Sequence, residues 1–512
     1  MSKSLPPRPN LEQLKKQAKD LLKASKDGNP DAIQRFVQHH PQASRTGSAS
    51  IRTSGLALSD AQLVVAREYG FVSWAQLKEE VESMLSESGD PIDLLRKAFT
   101  ADDAALFGRL LDRFPEAKSR INEPVAAFDS PLVIHVRSRQ MLDVLLEAGA
   151  DINTRSRWWA GGFGILDGVD PGLAAYAIER GAVVDVHAAS RLGMLDRLKK
   201  LVAADPALVH ARGGDGQTPL HFASTLEVAL FLLDQGADID ARDVDHESTP
   251  AQYMIRDRQD IARHLVQRGC RTDLLMAAAL GDVDLARKHL DANPQCIHLR
   301  VSHEHFPMSN HRAGGTIYQW TLGWYVSPHD VAKQFSHQEV FDLLMSRSPA
   351  EVKLIAACWQ GDETAAQSLV AQHPDLVATI SGAYRRQVAH AARNNNTAAV
   401  RAMLAAGLPV DAVGQHGATP LHWAAFHGNA DLTRSILEYD PPLEVSDADF
   451  RATPLGWAMH GSQNGWHCRT GDYPLTVELL LQAGAVIPER KDQGTSAVQE
   501  VLMRHSGRKA EE

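Results

Sequence analysis

The sequence predicts an all-α chain of stacked helix pairs, and three observations predict it. Of 512 residues, 44% are hydrophobic but only 6% aromatic, which suits thin layers of Ala and Leu better than one thick core. Apolar residues recur at helical spacing in short runs, in units of thirty-odd residues. Gly and Pro punctuate those runs at fixed offsets, where helices must stop and start.

The clearest unit is His416 to Glu438, HGATPLHWAAFHGNADLTRSILE. Thr419 caps a helix through its hydroxyl and Pro420 takes the first helical position, where a missing N–H costs nothing. Leu421, Ala424 and Ala425 make a small apolar face. Gly428 ends the helix, since glycine enters a left-handed turn cheaply. A second helix carries Leu432, Ile436 and Leu437. The T-P-L-H-x-A run resembles the ankyrin repeat, a helix–turn–helix unit of about 33 residues. The resemblance implies an ankyrin-repeat solenoid of about a dozen helix–turn–helix units with inserted loops, from about residue 12 to 487.

Taken in order, residues 1–43 form an N-terminal arm and basic capping helices. Leu11, Leu14, Ala18, Leu21 and Leu22 share one helix face, while Lys15, Lys16, Lys19 and Lys23 face away. The basic face reads either as a solvated end of the stack or as a patch for membrane or RNA; terminal layers need a polar exterior, which favours the first. Residues 44–58 are Ser/Thr/Gly-rich and read as a flexible linker, followed by a helical pair over 59–90. LPPRPNLEQLKKQAKDLL and AREYGFVSWAQLKEEVESML resemble the N-terminal region of bacterial ankyrin-repeat proteins that have no assigned activity.

Repeats then fill 91–300 and 328–490. Gly28, Gly193, Gly281 and Gly361 each precede a proline by 13 residues (Pro41, Pro206, Pro294, Pro374), and Asp102 stands in the same place before Pro115. Gly149, Gly181, Gly236, Gly269, Gly407 and Gly484 mark the ends of second helices. Residues 491–512 read as a C-terminal cap and tail.

The frame breaks at three insertions, 155–170, 301–327 and 456–473. In a solenoid such departures emerge as loops on one face. They hold six of the nine tryptophans: Trp158, Trp159, Trp320, Trp324, Trp457 and Trp466. Such rings either cover a missing layer or offer a recognition surface, to which Phe163 and Tyr318 also belong. His303, His305, His311, His460, His467 and Cys468 are weak metal candidates, because the two insertions that carry them are far apart in sequence. No metal and no cofactor is expected.

Asp243, Asp245, His246 and Glu247 gather before Thr249-Pro250, where an acid/base role competes with turn geometry; the repeat frame favours the turn. His221 and His422 of the TPLH runs are expected to hydrogen-bond neighbouring turns. No GxSxG, GxxxxGK[ST] or HExxH motif is present, so catalysis stays open, with the balance against it.

A net charge of −10 argues against nucleic acid. The four cysteines are scattered, as in a reducing compartment, and no apolar run reaches a membrane span's length. A cytoplasmic monomer without integral membrane contact is expected. The function this supports is a scaffold that binds a protein partner on the solenoid's concave face through the finger residues Asp215, His246 and Gln415. The alternative is a small-molecule or enzymatic pocket built by the three insertions.

Overall fold

The computed structural model describes residues 11–41, 56–78, 81, 91–488 and 493–508. Among these residues the chain is helical without strands, apart from one bridge between Ala126 and Ser130. Most of the expected 44–58 linker and the later part of the 59–90 pair lie outside the described residues. The pair begins one residue earlier than expected, in helix Leu58–Glu68.

The chain divides into two compact units, Met1–Val125 with Pro131–Ile152, and Ala126–Ser130 with Asn153–Glu512. In the first, helices Leu11–Lys26, Pro30–His39 and Leu58–Glu68 share a core of Leu14, Ala18, Leu21, Phe36 and Val64. Asn29 caps the second helix by accepting from Asp31 N and Ala32 N, and Pro30 takes its first turn. Arg35 binds buried Glu68 through two hydrogen bonds, 2.5 and 2.9 Å. Among the basic residues, Lys16, Lys19 and Lys23 are exposed and Lys15 is half-buried.

The second unit repeats one grammar. In Pro420–His427 and Ala430–Leu437, Gly428 closes the first helix at φ 62°. Gly193, Gly281 and Gly361 do the same, and so do the non-glycine residues Ser336 and Asn395; in the first unit Asp102 follows suit at φ 55°. Short polar side chains tolerate this region, so the motif survives without glycine. Thr419 does not cap by its hydroxyl alone. His422 Nδ1 accepts from Thr419 N–H (3.1 Å) and lies 2.8 Å from its hydroxyl, while Nε2 reaches Ala452 O at 3.1 Å. His221 repeats this between Thr218 and Ser248 O. Each TPLH histidine thus ties its own helix start to the following turn, as the sequence led us to expect.

One insertion is differently built. Residues 456–464 belong to helix Pro454–Asn464, leaving only 465–472 as a loop. Among the described residues no helix is long and apolar enough to cross a membrane.

Candidate binding surface

Two turns that precede TPLH helices have the same backbone. Asp215 (φ 54°) and His416 (φ 62°) sit at their tips, each followed by a positive-φ glycine. Gly213 N binds Gln217 O and Gly414 N binds Ala418 O, both at 2.9 Å. Each tip carbonyl accepts from the next turn, Asp215 O from Val244 N and His416 O from Ala448 N, both at 2.8 Å. The next turns also match. Asp243 accepts from His246 N, Ser248 N and Tyr253 Oη. Asp447 accepts from Phe450 N, Ala452 N and Trp457 Nε1. The turn reading of Asp243 therefore holds, and it rests on a carboxylate that satisfies the N–H groups of its own turn.

What covers these turns differs. The second insertion lies along residues 245–248. Gly314 N donates to Asp245 O (2.9 Å), Glu247 accepts from Ser309 N and Asn310 N, and Ser248 Oγ accepts from Ile317 N. The first insertion closes on the same place: a side chain at Gly214 would strike the Phe163 ring, and one at Gly161 the backbone of Gly213. Arg312 of the second insertion sits 4.7 Å over the Trp159 ring of the first. Beneath them Asp215, Asp245 and His246 are buried together. Burial raises the Asp215 carboxyl to about 6, His246 opposes the rise, and Asp245 and Asp243 add to it.

The second and third insertions meet at Arg393. Its guanidinium lies 5.4 Å from the Trp324 ring centroid, 5.6 Å from Trp423 and 5.2 Å from Trp466. Burial lowers its pKa to about 10, which leaves it charged at neutral pH. Nε donates to Gln415 Oε1 at 2.8 Å. Trp423 and Trp457 are buried, but Trp466 is 60% exposed and Phe450 66% exposed.

A cavity of about 420 Å³ opens elsewhere in this unit, among residues that include His298, Arg300, His305, Tyr325, Tyr384 and His390. Of the three insertions only the second contributes to its lining, so this cavity is not the alternative pocket built by all three.

Several sequence-derived sites need correction. Asp215 and His246 are 9% exposed, so they are roofed rather than offered to a partner. Their roof comes from residues distant in sequence. Gln415 is half-buried beneath Arg393, and the residue equivalent to Asp215 is its neighbour His416. Tyr318 is fully buried, donating its hydroxyl to Asp273 Oδ2 at 2.8 Å; it is core. Trp158, Trp159 and Phe163 roof the first turns, Trp324 and Trp466 flank Arg393, and Trp320 is 68% exposed.

His303 packs on Trp324, His305 lines the cavity, His311, His460 and Cys468 are exposed, and His467 packs on His427. Among the described residues, the metal-capable cluster contains none of these six; it is Asp215, Asp245 and His246.

Helix pairs capped by TPLH runs and joined through paired turns define a helical repeat protein. The model for ankyrin repeats matches three times, over 186–276, 353–447 and 388–487. The chain carries ankyrin repeats over these residues. It is 27% identical over 139 residues to the palmitoyltransferase Hip14 of Drosophila melanogaster, covering 27% of this chain and 20% of that protein. It is 49% identical over 49 residues to the serine/threonine-protein kinase VIK of Arabidopsis thaliana, 9% of this chain and 11% of that one. The chain thus spans a small part of either relative's length. A solved structure of the human ASB11 ankyrin repeat domain matches over 59% of this chain and 99% of its own, at 17% identity and a TM-score of 0.24, which is too low to bear on the arrangement.

Proposed function

We propose that this chain is a protein-interaction scaffold whose partner docks on the aromatic surface around Arg393. Ankyrin repeats in general mediate protein–protein contacts. The observation that carries the reading is the exposure of Trp466 beside the half-buried Arg393, together with exposed Phe450 packed on His416 and Trp457. Rings that merely fill a missing layer would be covered, as Trp423 and Trp457 are. Tryptophan and arginine are enriched among the residues that dominate interface energetics, tryptophan because it buries large area with few rotamers to freeze. The neighbouring turn, with His416 and Asp449 at its edge, adds polar groups at the rim.

The test is a photo-crosslinker placed at Phe450 and, separately, at exposed Lys288 on another helix. A partner should crosslink at position 450 and not at 288. Trp466→Ala should abolish that product without changing the melting temperature. Equal crosslinking at both positions, or a product indifferent to Trp466→Ala, would end this reading.

A further inference from the structure

The tips of the two turn pairs differ in one chemical respect. Where the second pair joins His416 Nδ1 to Asp449 Oδ2 at 2.6 Å, the first pair places Asp215 against Asp245, two carboxylates. His246 stands at the position held by Phe450 in the second pair. Its Nδ1 lies 2.7 Å from Gly315 O. A carbonyl can only accept, so Nδ1 carries a proton and Nε2 is the nitrogen turned toward the carboxylates. That nitrogen faces Asp245 Oδ2 at 3.7 Å and Asp215 Oδ2 at 3.9 Å, too far for hydrogen bonds. Three atoms able to ligate a metal therefore converge within 4.8 Å of one another, on three buried residues.

The outer oxygens of the two carboxylates are placed differently. Asp245 Oδ1 accepts from Gly314 N at 3.1 Å. Asp215 Oδ1 is buried without a hydrogen-bond partner, and so is the Trp158 indole N–H that acts on the same carboxylate. No lysine or arginine is among the main charges acting on Asp215. A histidine that donates its remote N–H to a carbonyl, beside a carboxylate fixed through its outer oxygen as Asp245 is, matches the usual support of a metal ligand set.

We propose that Asp215, Asp245 and His246 bind one divalent transition-metal ion of the zinc class. One imidazole and two carboxylates suit such an ion better than Mg²⁺ or Ca²⁺, which take oxygen alone. Ligand atoms about 3.3 Å apart would surround a tetrahedral zinc with bonds of about 2.0–2.1 Å, so the groups, now within 4.8 Å of one another with Nε2 3.7 and 3.9 Å from the two carboxylates, need to close around the ion. The two carboxylates offset the ion's charge, and a fourth position is left for water. The ion would fasten the turn tips beneath the second insertion, since Gly314 and Gly315 hold two of the three ligands. This does not depend on the partner surface near Arg393.

The test titrates Zn²⁺ into chelator-stripped full-length protein by calorimetry, with Mg²⁺ as the comparison ion. One Zn²⁺ per chain should bind, at least 100-fold more tightly than Mg²⁺. Asp245→Asn and His246→Ala should each weaken Zn²⁺ at least tenfold, and His467→Ala should not. Circular dichroism identifies any variant that fails to fold. For a folded wild type, Co²⁺ should give visible d–d bands that Asp215→Asn removes. Absence of stoichiometric Zn²⁺ in the wild type, or equal affinity in folded variants, would overturn the assignment.

Discussion

The two turn pairs, 213–249 and 414–453, are one backbone used twice. Their tips share positive φ values, their carbonyls accept from equivalent amides, and Asp243 and Asp447 organise the second turn of each. Yet Asp215 and His246 are buried where His416 and Phe450 are open to solvent or partly so. Local sequence therefore decides the turn, and distant insertions decide whether its tip meets solvent. A solenoid can thus turn a contact surface into an enclosed site without altering its repeat.

Three experiments bear on that comparison. The largest effect is expected in acid. Burial lowers the pKa of His221, His329 and His390 to about 3 and that of His427 to about 4. These groups titrate near 6.5 when unfolded, so between pH 6.5 and 3 the unfolded chain binds more protons. Their stabilisation is present above pH 6.5 and is lost as pH falls, at up to about 1.4 kcal/mol per pH unit for each group. Thermal melts from pH 7 to 4 should fall steeply, and His221→Asn should flatten the slope. A flat profile would show that the rings are not held neutral.

Next in size, His221→Ala and His422→Ala should each cost about 3 kcal/mol. Each leaves the N–H of its helix-capping threonine and a carbonyl of the next turn without a partner, and opens a cavity. Urea midpoints would measure both. Similar losses support the equivalence of the two pairs, and a loss confined to one would break it.

The smallest effect separates the tips. In chelator-treated protein Asp245→Asn should raise the melting temperature, because it removes one of two buried like charges. Asp449→Asn should lower stability by no more than about 1 kcal/mol, since it opens a pair that water already screens. Equal changes at the two positions would mean that burial of the first pair has no electrostatic consequence.

Much of this was legible in the sequence. Gly281, Gly361 and Gly428 marked helix ends because the left-handed region is a local steric matter. The TPLH histidines and Asp243 were legible for the same reason, as their bonds close within a few residues or one repeat. The tip residues were not. The repeat pattern presents Asp215 as an exposed contact and Tyr318 as a binding aromatic, because nothing near either in sequence announces the element that covers or surrounds it. Gln415 was chosen one position from the true tip, since only the backbone angles place His416 there.

By itself the sequence determined the repeat: its helix pairs, its glycine-marked ends and the three places where the pattern fails. Those features follow from backbone sterics and hydrogen bonds over short separations. Only the tertiary structure decided which insertion touches which: Arg312 over Trp159, and Arg393 between Trp324 and Trp466. Only the fold, too, gathered Asp215, Asp245 and His246 beneath Gly314 and Gly315. Burial and charge proximity depend on what the rest of the chain lays over a residue, and no local pattern encodes that.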